Sequence, residues 1–410
     1  MPGQKAIIPP LWAYARRRLG SGAAYCVCVA YALSLPVMAA VIFDVHEVAF
    51  VPVLTALMVE RFDAGRRGQG VLAAAALLRV KEDMGLLVAG FGCYLPLTRR
   101  RWTGLAFVIG GLAATWAATH LLIPAFGGSA AFYWAYGQFG PTLGSAALNM
   151  LTHPLHALHV FVTPGVKART MIGLLATFGF LPLASPMVVA VLPLLAEWML
   201  ASGYPLWWQA KFQYDAFVVM MLCCAAVDGA ARLQRRWPER WDRWFTYPWT
   251  GPSWLRRPWR PLTLWAAGIG VAALVYFPSS PFGSLLHPGF YGVNTRMRAA
   301  AAAIAQVPDG VEVEAANNIG PRLSGRDTVL LLDGTPRWAP WVVADTIGLD
   351  FPFCTPSQQA QQVASLRAHG YSLVFADDGY VVLHRPADWR TSQALAHPLP
   401  AARLHTNICY

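Results

Sequence analysis

What constrains this chain most is the placing of its charges: arginines come in clusters, and apolar runs about as long as a bilayer is thick lie between them. Arg16, Arg17 and Arg18 precede the first run, and Arg61, Arg66 and Arg67 the next. Arg99, Arg100 and Arg101 form a third cluster. The densest group comprises Arg232, Arg235, Arg236, Arg240, Arg243, Arg256, Arg257 and Arg260. Charged residues make up only 13% of the chain and hydrophobic residues 56%, whereas soluble domains carry about 25% charge. So apolar a chain needs lipid as solvent. A net charge of +11 would suit nucleic acid, but arginines set between apolar segments are what the positive-inside rule assigns to cytoplasmic loops. A membrane is therefore the expected partner and nucleic acid is not.

Spanning helices need about 20 apolar residues. Gly22 to Phe43 fits, with Pro36 as the expected kink, and it ends at Asp44, His46 and Glu47. Val71 to Leu97 is apolar at both ends but interrupted by Arg79, Lys81, Glu82 and Asp83, which predicts a hairpin of two half-helices with its tip on the outer side. Gly104 to Phe126 is the next span. Tyr133 to Val166, rich in Pro, Gly and aromatic residues, suits an interfacial segment. Met171 to Ala201 is broken by Pro182, Pro186 and Pro193, and Phe217 to Ala231 and Leu262 to Phe277 complete the series. The Trp-rich stretch from Trp237 to Trp259 reads as an interfacial belt. The expectation is an α-helical polytopic domain over residues 1–277, with about eight to ten helices, some half-length.

After Phe277 the texture changes to that of a small soluble α/β domain, residues 278–410. An Ala-rich helix is expected over Asn294 to Val307. Strands are expected over Val311 to Ala315, Thr328 to Leu332, Trp341 to Ala344, Leu373 to Ala376 and Tyr380 to His384. A helix from Ser357 to His369, with Ser357 as N-cap, separates the third strand from the fourth, and Asp378-Gly379 marks a hairpin. With the N-terminus cytoplasmic, all basic clusters share one side, and this domain is extracytoplasmic.

Cysteines do not organise the fold. Five lie in apolar runs; Cys354 and Cys409 belong to the C-terminal domain and would pair in an oxidising compartment.

Ionisable residues at membrane depth are costly, so each is a candidate for function. In Phe43-Asp44-Val45-His46-Glu47 a carboxylate beside an imidazole suits a general base or a divalent-metal ligand, or else a polar surface loop. Lys81, with Glu82 and Asp83, presents an ammonium to a lipid phosphate or pins the hairpin through an ion pair. Lys211, Gln213, Tyr214 and Asp215 enter a span from the outer side. His153, His156 and His159, interrupted by Pro154, read as interfacial. Asn317, Asn318, Arg322 and Arg326 suit a glycan or anion contact, or plain solvation. No zinc spacing occurs and no cofactor is specified; a divalent metal is the one conceivable.

Taken in order, Phe43 to Glu47, Val80-Lys81-Glu82-Asp83, Arg99 to Arg101, Gly179-Phe180-Leu181-Pro182-Leu183, Gln213-Tyr214 and Pro321 to Arg326 resemble the DUF2079 family of bacterial polytopic membrane proteins. That family is similar to the GT-C glycosyltransferases that use lipid-linked sugars. The resemblance covers about Ser34 to Pro386. It implies a GT-C-like enzyme of the plasma membrane moving a sugar from a polyprenyl phosphate to an envelope glycan or protein acceptor on the outer face. Asp44, His46 and Glu47 would be its catalytic residues; Lys81, Glu82, Asp83, Gln213 and Tyr214 would bind substrate. Two departures stand against this. Relatives carry further N-terminal spans with an Asp-bearing outer loop, and a His where Gln213 stands, and Gln cannot do acid–base work. The alternative is a non-catalytic envelope protein, a truncated or inactive member, that binds a lipid phosphate or a glycan.

Overall fold

The computed structural model describes residues 8–42, 47–98, 100–128, 134–202, 204–209, 214–236 and 261–385, apart from the side chains of 261–263. Asp44, His46, Arg99, Lys211, Gln213, the belt from Trp237 to Trp259 and Cys409 lie outside them. The chain divides into two compact units, Met1–Leu286 and His287–Tyr410.

The first unit is helical: α1 (Ile8–Leu19), α2 (Ser21–Ala32), α3 (Leu35–Ile42), α4 (Val51–Asp63), α5 (Arg67–Leu77), α6 (Met84–Tyr94), α7 (Arg101–Ala125), α8 (Leu143–Thr152), α9 (Pro154–Val162), α10 (Gly165–Ala176), α11 (Leu192–Leu200), α12 (Ala216–Arg236) and α13 (Pro261–Tyr276). Its axis is α12, buried continuously from Ala216 to Ala231. Fewer helices are long enough to cross a bilayer than the apolar runs suggested. Among the described residues, α7 and α12 qualify, and α2 with α3, bent by 47°, would make a third.

Punctuation shortens the rest. The bend between α2 and α3 falls at Leu33–Ser34, and Pro36 sits in the first turn of α3, where a missing amide hydrogen costs nothing. The run from Val71 to Leu97 breaks at its charges, leaving α5 and α6 on either side of residues 78–83. Pro154 opens α9, which parts His153 from the other two histidines. Gly179 and Phe180, both at positive φ, end the segment after α10, and 3-10 turns follow at Leu181–Ala184 and Pro186–Val191.

Helices α6 and α7 pack along a glycine seam. A Cβ on Gly92 would lie 2.7 Å from the Val108 nitrogen, and one on Gly104 2.7 Å from the Gly92 oxygen. Gly85 and Gly111 face each other's carbonyls in the same way. The pairs run antiparallel, and small residues let the backbones approach. The opposite side of α7 is bare: Trp102, Leu105, Ile109, Leu112 and Trp116 are exposed. An apolar strip of that length suits lipid rather than water. Leu143, Leu148, Leu151, Leu155 and Leu158 of α8 and α9 are exposed likewise.

The second unit is an α/β layer. Helix α14 (Thr295–Ala305), capped by the Asn294 side chain, precedes β1 (Glu312–Ala315), α15 (Gly320–Leu323), β2 (Thr328–Leu331), β3 (Trp341–Asp345), α16 (Pro356–Ala368), β4 (Ser372–Asp377) and β5 (Tyr380–His384). Strand order is β2-β1-β3-β5-β4, with β1 parallel to both neighbours and the β4–β5 hairpin antiparallel. Asp378 and Gly379 turn that hairpin at positive φ, as a tight two-residue loop requires. Alanines of α14 cover one face with Val313, Val343 and Val382. Val363 and Leu366 of α16 cover the other with Val342 and Leu383.

The N-cap of α16 is Thr355, in a capping box with Gln358, rather than Ser357. Pro356 at the first helical position pushes the cap one residue upstream of it. Asn318 and Arg326 serve the fold: the Asn318 amide side chain donates to Asp345 Oδ2 over 2.9 Å, and Arg326 binds Asp309 and the Ile304 carbonyl.

Candidate functional site

Helix α6 begins just after the charged turn, so its N-terminal end carries Lys81, Glu82 and Asp83. Helix α12 brings Tyr214 and Phe217 against them: the Lys81 ammonium lies 5.6 Å from the Tyr214 ring centre and 5.5 Å from that of Phe217, within cation–π range. Trp198 of α11 completes the aromatic wall, 6.3 Å from Tyr214 and 5.5 Å from Phe217. The charges bearing on Lys81 are those of Asp83, Glu82, Tyr214 and Glu47. Glu197, one residue before Trp198, faces Asp83, Glu82 and Lys81. The Tyr136 hydroxyl donates to the Glu197 carbonyl over 3.0 Å.

One lysine thus stands among the carboxylates of Glu47, Glu82, Asp83 and Glu197. Glu47 is exposed and Glu82 and Glu197 are half-buried, so Asp83 is the one carboxylate of the four that is fully withdrawn from solvent, where an ion persists only when paired or neutralised. Asp83 is only 6% exposed, yet its Oδ1 has no hydrogen-bond partner among the described residues, and neither has Glu197 Oε2. The described residues contain no group of three His, Cys, Asp or Glu side chains placed to hold a metal ion.

Of the residues singled out by sequence, Glu47, Lys81, Glu82, Asp83 and Tyr214 come together here. Asp44, His46 and Gln213 lie outside the described residues. Asp215 is 1% exposed, and neither of its carboxylate oxygens has a hydrogen-bond partner among the described residues. Sequence reasoning missed Glu197 and Tyr136. A signal for Glu197 existed, since it is the one acid between Met171 and Ala201.

At the other end of α6 the chemistry reverses. Asp228 of α12, fully buried, accepts from Arg18 Nη1 over 2.7 Å, from Arg232 Nε over 2.5 Å and from Ser185 Oγ over 2.6 Å. Arg18 also holds Asp63, and Arg17 holds Asp63 and Glu60. Arg100 Nη1 donates to the Phe62 carbonyl over 3.2 Å. Arginines from three separate stretches of sequence therefore meet at one end of the helical unit. Helix α6 rises about 16 Å over its length, and that rise parts the two polar clusters.

Lys167 is a third buried cation. Its ammonium donates to the carbonyls of Val160 (2.8 Å), Met199 (2.6 Å) and Ala201 (3.1 Å) and sits 4.3 Å from the Trp208 ring centre. Those carbonyls lie at the C-terminal ends of α9 and α11, where helices favour a cation. Lys167 is a bolt, not a site.

A family model described as a predicted membrane protein, DUF2079, matches residues 6–382. No curated protein and no solved structure matches the chain.

Proposed function

Since the chain belongs to the DUF2079 family of predicted membrane proteins, we propose that its acidic cluster is the site of a GT-C-like sugar transfer from a polyprenyl phosphate to an extracytoplasmic acceptor. What carries the reading is that Lys81, Glu82 and the buried Asp83 stand against the rings of Tyr214 and Phe217, with Glu47 and Glu197 acting on their charges. A carboxylate takes the acceptor hydroxyl's proton, the new bond forms between that oxygen and the sugar's anomeric carbon, and the bond from that carbon to phosphate breaks. Asp83 or Glu197 would serve as the base, in addition to Glu47, which sequence assigns to that role together with Asp44 and His46. Lys81 meets charge developing on the leaving phosphate, and Arg79, exposed on the same turn, adds a second cation. Tyr214, Trp198 and Phe217 offer faces for the sugar ring.

In cells carrying Lys81→Ala, Asp83→Asn or Asp44→Asn, mass spectrometry of polyprenyl-linked sugars should show donor accumulating and the matching envelope sugar falling, with unchanged amounts of protein in the membrane. Unaltered donor pools in all three variants and in a deletion strain would remove the transferase reading. The cluster also admits a second reading, because acids around a lysine can simply pin α6 to α11 and α12. That non-catalytic protein would bind lipid phosphate or glycan, and its variants would lose stability without changing donor pools.

A further inference from the structure

The arginine-rich end encloses a cavity of about 210 Å³ that the transferase reading does not use. Its wall includes Arg18, Asp63, Tyr94, Thr98, Arg100 and Phe62. The charges there do not balance: Arg17, Arg18, Arg61, Arg100 and Arg232 are five cations, and Glu60, Asp63 and Asp228 are three anions. Arg18 is consumed, with Nε and Nη2 on Asp63 and Nη1 on Asp228. Arg100 is not. Among the described residues its guanidinium forms one hydrogen bond, to the Phe62 carbonyl, and lies 5.6 Å from the centre of the Phe62 ring. A guanidinium has five N–H donors, so most of its fork is left over, in a cavity whose charged lining is Arg18, Arg100 and Asp63 among apolar and aromatic side chains.

We propose that this pocket binds one phosphate group, carried by a membrane lipid headgroup or by a free phosphate ion, with Arg100 as its principal contact. Arginine's planar fork matches phosphate oxygens. Basic pockets between membrane helices on the face rich in arginine are suited to anionic headgroups. Asp63 in the wall does not oppose the anion, because Arg17 and Arg18 neutralise it. The pocket lies at the far end of α6 from Lys81 and Asp83, so its test stands or falls apart from sugar transfer.

The test uses the full-length protein in detergent, titrated with phosphatidylglycerol, phosphatidylcholine or inorganic phosphate and read by native mass spectrometry. Phosphatidylglycerol should bind in preference to phosphatidylcholine. Arg100→Gln should weaken it about tenfold, the value of one charge-assisted hydrogen bond, while Arg66→Gln, at an exposed arginine outside the pocket, should leave it unchanged. Inorganic phosphate that displaces the lipid, in a manner Arg100→Gln abolishes, assigns the site to the free ion; binding that persists assigns it to the headgroup. Equal loss in both variants, or none at Arg100, overturns the proposal. Should Arg100→Gln fail to fold, phenylglyoxal footprinting of the unaltered chain decides: Arg100 is protected by phosphatidylglycerol or phosphate and Arg66 is not, and equal modification of Arg100 with and without them overturns it.

Discussion

Lys167 and Glu314 show how single buried charges serve the two units. Replacing Lys167 with Met keeps the length of the side chain but leaves three carbonyls without their donor, and a buried unsatisfied polar group costs about 1–3 kcal/mol. The variant should melt well below the wild type in detergent; an unchanged midpoint would mean those carbonyls find other partners. Glu314, fully buried on β1, accepts the Arg337 amide over 2.6 Å. Burial pushes its carboxyl up to about 7, against the pull of that amide and the Arg337 charge. Unfolded, a glutamate titrates near about 4.3. The folded chain therefore holds the extra proton between those values, and stability falls as pH rises through that window and levels off above about 7. Glu314→Gln should flatten the decline, read as hydrogen-exchange protection of β1 amides in the full chain, corrected for intrinsic pH dependence. The same slope in both proteins would clear Glu314 of the effect.

The elements differ in how far the sequence betrays them. All five strands were legible because β-branched runs end at turn residues, and Asp378-Gly379 can hardly do anything but turn. The charged turn at Lys81 was legible because ions interrupting an apolar run break the helix there. Helix lengths in the first unit were legible only where a proline or a charge marks the break, as from Pro182 to Pro193; the bend at Leu33–Ser34 has neither. The pairing of Arg18 with Asp228, 210 residues apart, was not legible: the positive-inside rule treats arginines as loop charges, yet these hold α1, α4 and α12 together. The glycine seam is likewise invisible until the two helices meet. Gly111→Val would drive a side chain into the backbone of α6, and overpacking typically costs about 1–3 kcal/mol. Gly110→Val, where the added group meets nothing, should be tolerated. Equal melting points for the two variants would contradict the seam.

At the scale of the molecule, the account rests on polarity along α6 and α12. Arginines gather at one end and carboxylates around Lys81 at the other, and lipid meets the bare apolar face of α7 between them. On our proposal the positive-inside rule would set the arginine end in the cytoplasm and the acidic cluster on the outer face. The direct test is labelling by a membrane-impermeant maleimide in intact cells, with cysteine placed at Arg79 or at Arg66, both exposed. The account predicts that Arg79→Cys reacts before lysis and Arg66→Cys only after it. Labelling of Arg66→Cys in intact cells, or of both positions only after lysis, would contradict it.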